Sequence, residues 1–385
     1  MKTIMRTGTK ALLLAATALT LGFAGPALAE IKLGSTLAVT GPASFLGDPE
    51  AKTLKMLVDQ VNEAGGINGE QVTLIQYDDA GNPNNARTFA TRLVEDDEVI
   101  AVIGGSTTGA TMAMVPVFED AEIPFISLAG AVVIIDPVKP FVFKTPHTDR
   151  MACGKVFEDM QERGIAKIGM ISGTGGFGKS MRGQCLDIVG DYGIEVLADE
   201  TYGPKDADMT PQLTKIKNTE GVQAVLNPGF GQGPAVVTRN YAQLGMEQPL
   251  YQSHGVASNV FIELAGPAAE GVRLPAPSLL VADSLAADDP QQGIVRAYKT
   301  AYEAATGEPV STFGGYAFDA FMLMKMAIEK AGSDDPVAIR DALEQIGGYV
   351  GVTGEFNFGP EDHLGLDLSA FRMVEVRDGK FVLID

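Results

Sequence analysis

Residues 173–180 read Gly-Thr-Gly-Gly-Phe-Gly-Lys-Ser and satisfy two nucleotide patterns at once, G-x-x-x-x-G-K-[ST] and G-x-G-x-x-G. In the first, backbone N–H groups cradle phosphates and Lys179 reaches the outer ones. In the second, the glycines let a pyrophosphate approach a helix start. Asp199 lies roughly 20 residues further on, where a ribose-binding acid would stand. Alone, the segment would name an ATPase or a dehydrogenase. However, no apolar run ending in an Asp follows to hold the magnesium that P-loop enzymes need, and a tight strand-to-helix turn favours glycine without any nucleotide. A second cluster, Gly105-Ser106-Thr107-Thr108-Gly109, sits between an apolar run and a helix start. There, hydroxyls and free N–H groups either converge on an anion or merely cap the helix. No G-x-S-x-G elbow, H-E-x-x-H or Ser/His/Asp set stands out. His147, His254 and His363 are scattered, and no Cys/His spacing makes a ligand set, so neither a metal nor another cofactor is expected. Cys153 and Cys185 either pair in an oxidising compartment or stay as two buried thiols.

The elements that would position these residues alternate short apolar runs with longer amphipathic stretches. This is the pattern of an α/β fold with parallel sheets covered by helices on both faces. Strands are predicted at 31–35, 72–77, 100–103 and 125–127, with helices at 49–64, 84–95 and 111–121. A second set has strands at 167–172, 195–198, 224–227 and 249–252, and helices at 149–163, 179–192, 210–218 and 233–243. Two βα sets of similar size imply two doubly wound lobes. The remainder holds a strand near 271–274, helices at 291–306, 316–331 and 336–345, and an antiparallel pair at 371–377 and 380–384. These are too few to bury a third core, so they complete the earlier lobes. The chain then crosses between lobes several times, which makes a hinge.

Residues 1–29 read as a secretory signal peptide. Lys2, Arg6 and Lys10 precede an apolar stretch over 11–25, and Ala27-Leu28-Ala29 supplies a small-x-small cleavage site, so cleavage after Ala29 leaves Glu30 first. The apolar stretch is shorter than a bilayer span. Without the leader, 26 cationic residues face 49 acidic ones, a net charge of −23. Such a surface repels nucleic acid and anionic lipid.

Several short motifs then line up in order: Thr40-Gly41-Pro42 with Gly47, Val61-Asn62-Glu63-Ala64-Gly65-Gly66-Ile67-Asn68-Gly69, Asp78 with Ala86, Ile103-Gly104-Gly105-Ser106, Ile123-Pro124-Phe125-Ile126-Ser127, and Tyr316-Ala317-Phe318-Asp319-Ala320. In that order and spacing, residues 30–385 resemble the leucine/isoleucine/valine-binding family of periplasmic binding proteins with the type I fold. The resemblance implies two lobes joined by a three-stranded hinge, one of 30–146 plus 276–352 and the other of 147–275 plus 353–385. It implies a monomer in the periplasm that captures a small-molecule carboxylate for an ABC permease, and not an enzyme. It makes the 173–180 loop a lobe turn whose aromatic, Phe177, closes over the ligand.

Carried over by position, the resemblance places the ligand carboxylate against Ser106, Thr107, Thr108 and the backbone of Ala129, Gly130 and Ala131. Phe177, Phe230 and His254 would face it from the other lobe, with Phe45 and Leu46 at the rim. Family members that bind α-amino acids place a Glu where His254 stands, because a buried ammonium needs an opposite charge. Histidine cannot supply it. The departure therefore favours an aromatic acid, a branched or keto acid, or a short fatty acid. The alternatives are a branched-chain amino acid, with a neighbouring acid in place of the missing Glu, and a periplasmic sensor on the same fold.

Overall fold

A computed structural model describes residues 1–3 and 30–384 of the chain. The signal peptide and its cleavage point fall outside the described residues. The first sheet is five-stranded and entirely parallel, in the order β2-β1-β3-β4-β5. Its strands are β1 (Glu30–Leu37), β2 (Gln71–Asp78), β3 (Ala101–Gly104), β4 (Phe125–Ser127) and β5 (Val142–Lys144). Between them run α1 (Ser44–Glu63), α2 (Pro83–Glu95) and α3 (Thr108–Asp120). The central strand β3 is Ala-Val-Ile-Gly and is buried throughout, as befits a strand covered on both faces.

The second half repeats the plan. After α4 (Asp149–Glu162) come β6 (Lys167–Gly173), α5 (Gly176–Ile188), β7 (Glu195–Tyr202), α6 (Thr210–Asn218), β8 (Ala224–Asn227), α7 (Gln232–Gln243), β9 (Leu250–Gln252), α8 (Asn259–Ala265) and β10 (Arg273–Pro277). These five strands align in parallel in the order β7-β6-β8-β9-β10. In both sheets the strand order reverses beside the first strand, between β1 and β3 and between β6 and β8. Loops leaving the carboxyl ends diverge at such a point and open a crevice.

The last third adds no core of its own. α9 (Gln292–Thr306), α10 (Thr312–Ala331) and α11 (Pro336–Leu343) follow β10, and α10 docks on α1 and β3 of the first sheet. After a small pair, β11 (Tyr349–Val350) and β12 (Glu355–Phe356), the hairpin β13 (Phe371–Arg377) and β14 (Lys380–Leu383) joins the second sheet antiparallel to β10. The chain thus passes between the sheets near 145–148, 278 and 352–354. These passages are stitched together: Thr145 Oγ1 donates to the Tyr316 carbonyl at 2.9 Å, and Ser278 Oγ donates to Gln291 Oε1 at 2.8 Å. Asp319 accepts from the N–H groups of Val352 and Thr353 at 2.9 and 2.8 Å. Cys153 and Cys185 form a disulfide that ties α4 to α5, which resolves the open question of their pairing.

Differences from the predicted elements have local causes. α1 begins five residues before Pro49, because Gly47 lies so close to the Ala38 backbone that a Cβ there would collide with it. β7 runs to Tyr202 rather than 198 because it is an edge strand, where Asp199, Glu200 and Thr201 can alternate without full burial. β5 and α8 escaped prediction through brevity, at three and seven residues.

Candidate functional site

A cavity of about 40 Å³ lies between the carboxyl ends of the two sheets, where both strand orders reverse. On the first side it is lined by Leu46 at the start of α1 and by Ser106, Thr107 and Thr108 between β3 and α3. Leu128 and Gly130 follow β4, and Pro146 marks the first passage. From the second side come Phe177 on α5, Phe230 after β8, and His254 with Gly255 after β9. Phe313 and Tyr316 on α10 complete it. The first residue of α5, Gly176, meets Thr108 and Gly109 at the start of α3. The N-terminus of α3, at Thr107 and Thr108, borders this space, and its partial positive charge favours an anion there.

Each hydroxyl of the loop has its own assignment. Thr107 caps α3, its Oγ1 accepting from the Ala110 N–H at 3.2 Å. Ser106 Oγ accepts from the Ala38 N–H at 3.0 Å and lies 2.5 Å from Glu50 Oε2. Thr108 Oγ1 is buried and has no hydrogen-bond partner among the described residues. The same is true of His254 Nδ1 on the other side. The capping reading thus holds for Thr107, whereas Thr108 is left free for a guest. An unmade hydrogen bond at a buried group costs about 1–3 kcal/mol, which a ligand recovers.

The walls carry no ionised side chain. His254 is held well below its ordinary pKa by burial, reinforced by His147 and Lys144, so at neutral pH it offers one donor and one acceptor. Its ring meets Phe177 and Phe371 edge-on, each at 5.4 Å. Behind Pro146, buried Lys144 donates to the Pro146 carbonyl at 2.7 Å. Burial pushes its ammonium down to about 7, opposed by Asp149. Gly130 is the contact point of the two halves: a Cβ there would press on the His254 and Phe177 rings.

Of the residues expected at the site, Leu46, Ser106, Thr107, Thr108, Gly130, Phe177, Phe230 and His254 come together around this cavity. Three do not. Phe45 stands outside the lining, its ring centroid 5.5 Å from that of Phe313 and 6.5 Å from that of Phe230, where it buttresses both. The Ala129 N–H is engaged by Ser127 Oγ at 3.2 Å. Ala131 is fully buried at the start of a short 3₁₀ turn, off the lining. Leu128, Pro146, Gly255, Phe313 and Tyr316 were not expected, although Tyr316 opens one of the motifs that carry the family resemblance.

The nucleotide-like loop finds a structural explanation. Gly178 packs so closely on the Gly173 carbonyl that no side chain fits, and Lys179 faces solvent. Asp199 is held by Arg182.

Residues 30–380 match the family described as periplasmic binding protein. The chain belongs to the periplasmic binding protein family. A leucine-, isoleucine-, valine-, threonine- and alanine-binding protein of Pseudomonas aeruginosa is 29% identical over 348 residues, 88% of this chain and 89% of its own. An extracellular ligand-binding receptor from Rhodopseudomonas palustris HaA2 superposes with a TM-score of 0.86 at 28% identity, covering 92% of this chain and all of its own. The branched-chain amino acid transporter substrate-binding protein LivJ of Streptococcus pneumoniae, solved with isoleucine, shares the fold at a TM-score of 0.82 and 24% identity, covering 92% of this chain and 99% of its own. Periplasmic binding proteins are receptors, not enzymes: they bind small molecules in the periplasm and work with ABC permeases. No helix among this chain's described residues is long and apolar enough to cross a membrane.

Proposed function

We propose that this protein captures a small branched aliphatic carboxylate and presents it to an ABC permease, with 30–146 plus 276–352 and 147–275 plus 353–385 as the two jaws. One observation carries the reading. The cavity at both strand-order reversals is lined from opposite sides by Thr108 and His254, whose Oγ1 and Nδ1 have no hydrogen-bond partner among the described residues. Ser106, Thr108 and the α3 N-terminus suit a carboxylate, and Leu46, Phe177, Phe230 and Phe313 suit an aliphatic chain.

The names of the relatives weigh for leucine, isoleucine or valine themselves, and they support that reading better than an aromatic or a keto acid. What favours the keto form is the lining, since no carboxylate side chain faces the cavity to balance an ammonium. Titration calorimetry with leucine, its keto analogue 4-methyl-2-oxopentanoate and benzoate separates the possibilities. The expected order is keto acid, then leucine, then benzoate. Tight leucine binding with none of the keto acid would establish the amino acid reading instead, and silence from all three would remove the carboxylate assignment.

A further inference from the structure

Glu50 lies in α1, fully buried, directly behind Ser106. Its Oε2 is 2.5 Å from Ser106 Oγ, and its Oε1 has no partner among the described residues. Ser106 Oγ already accepts from the Ala38 N–H, and a serine has only one proton to give. If Glu50 is ionised, that proton is spent on Glu50, and Ser106 turns lone-pair density toward the cavity. If Glu50 carries a proton, Glu50 donates and the serine proton is released.

We propose that protonated Glu50 is a positioning residue for carboxylate capture: it donates to Ser106 and turns the serine's own proton toward the ligand. Glu50 thereby favours an acid without an ammonium, because a protonated Glu50 offers no counter-charge. The assignment rests on Ser106 facing the bound carboxylate, as in the proposed function.

The surroundings support the protonated form. Burial pushes the Glu50 carboxyl up to about 8, opposed by the Ser106 hydrogen bond and assisted by the charge of Asp79. α1 packs against β1, β2, α9 and α10. β1 brings the hydroxyls of Ser35 and Thr36, which are buried without partners among the described residues, while its Lys32 is engaged by the Asp97 carbonyl. Beyond β2, Asp79 is itself raised to about 6 by burial, while Asp78 is engaged by Thr40. α9 brings Tyr298, bonded to Thr53, and Tyr302. α10 brings Tyr316 and Asp319, the latter turned to the 352–353 passage and raised to about 7 by burial. On α1 itself, Lys52 pairs outward with Asp48 and Glu308. Among the described residues no cation acts on Glu50.

Calorimetry with 4-methyl-2-oxopentanoate at pH 7 and pH 9, on the wild type and on Glu50→Gln, tests the role. A carboxyl titrating near 8 is mostly protonated at pH 7 and about one-tenth protonated at pH 9, so its share of the wild-type weakening is roughly tenfold. Lys144, His147, His254 and Asp319 are common to both proteins, and the glutamine amide still donates to Ser106. Glu50→Gln should therefore keep the pH 7 affinity and lose that tenfold share. Equal pH dependence in the two proteins would overturn the assignment alone. So would leucine binding that strengthens with pH and disappears in the variant, since Glu50 would then serve an ammonium.

Infrared difference spectra of the ligand-free proteins give a second readout. A protonated-carboxyl band at pH 7, present in the wild type and missing from Glu50→Gln, is expected; its absence from the wild type overturns the assignment whatever binds. Failure of both probes to bind the wild type at any pH would sink the site reading and this role with it.

Discussion

Thr108→Val keeps the side chain's shape and removes a donor with no other duty, so its effect on binding isolates the hydroxyl. A hydrogen bond to a charged group contributes about 1.5–3 kcal/mol, and calorimetry should show every carboxylate ligand weakened by that amount with the order of preference unchanged. His254→Leu should act selectively, erasing the difference between 4-methyl-2-oxopentanoate and 4-methylpentanoate, which lacks the oxo group. A uniform loss in His254→Leu would instead give the imidazole a carboxylate role. The hydroxyl loop was legible in the sequence because strand, hydroxyls and helix start are consecutive. Phe313 and Tyr316 were not, because α10 reaches the cavity only by docking on α1. Ala129 and Phe45 show the converse: the family resemblance placed them at the site, but one N–H is committed to Ser127 and one ring is packed between neighbours.

Among the elements, α4 and α5 are joined covalently over a sequence separation of 32 residues. Closing a loop of that size restricts the unfolded chain and contributes about 4 kcal/mol. The Cys153→Ser, Cys185→Ser double variant should therefore unfold at lower denaturant while ligand affinity stays near that of the wild type. An unchanged midpoint would show that the bridge is dispensable or unformed in solution. The alternation of apolar runs and amphipathic stretches made nearly every central strand and helix readable. What it missed were β5, α8 and the two-residue strands β11 and β12, too short to show a period, and the far half of β7, whose polar residues follow from its place at the sheet edge. The 173–180 loop misled for a physical reason: close packing of α5 on the end of β6 demands the same glycine that a phosphate cradle does.

At the scale of the whole molecule, both jaws present the carboxyl ends of sheets with one strand order, so neither alone encloses the cavity. Closure must be reversible for the ligand to enter. In the proposed reading the three passages, with the hydrogen bonds of Thr145, Ser278 and Asp319 beside them, serve as the hinge. If the jaws open as proposed, the contacts between Gly176 and Thr108–Gly109, and between Gly130 and the Phe177 and His254 rings, should be lost. Small-angle scattering shows whether the ligand is captured between the jaws. The protein is measured alone and then saturated with whichever of 4-methyl-2-oxopentanoate and leucine calorimetry shows to bind. Capture between the jaws gives a smaller radius of gyration with ligand. A radius unchanged at proven saturation would contradict capture between the jaws.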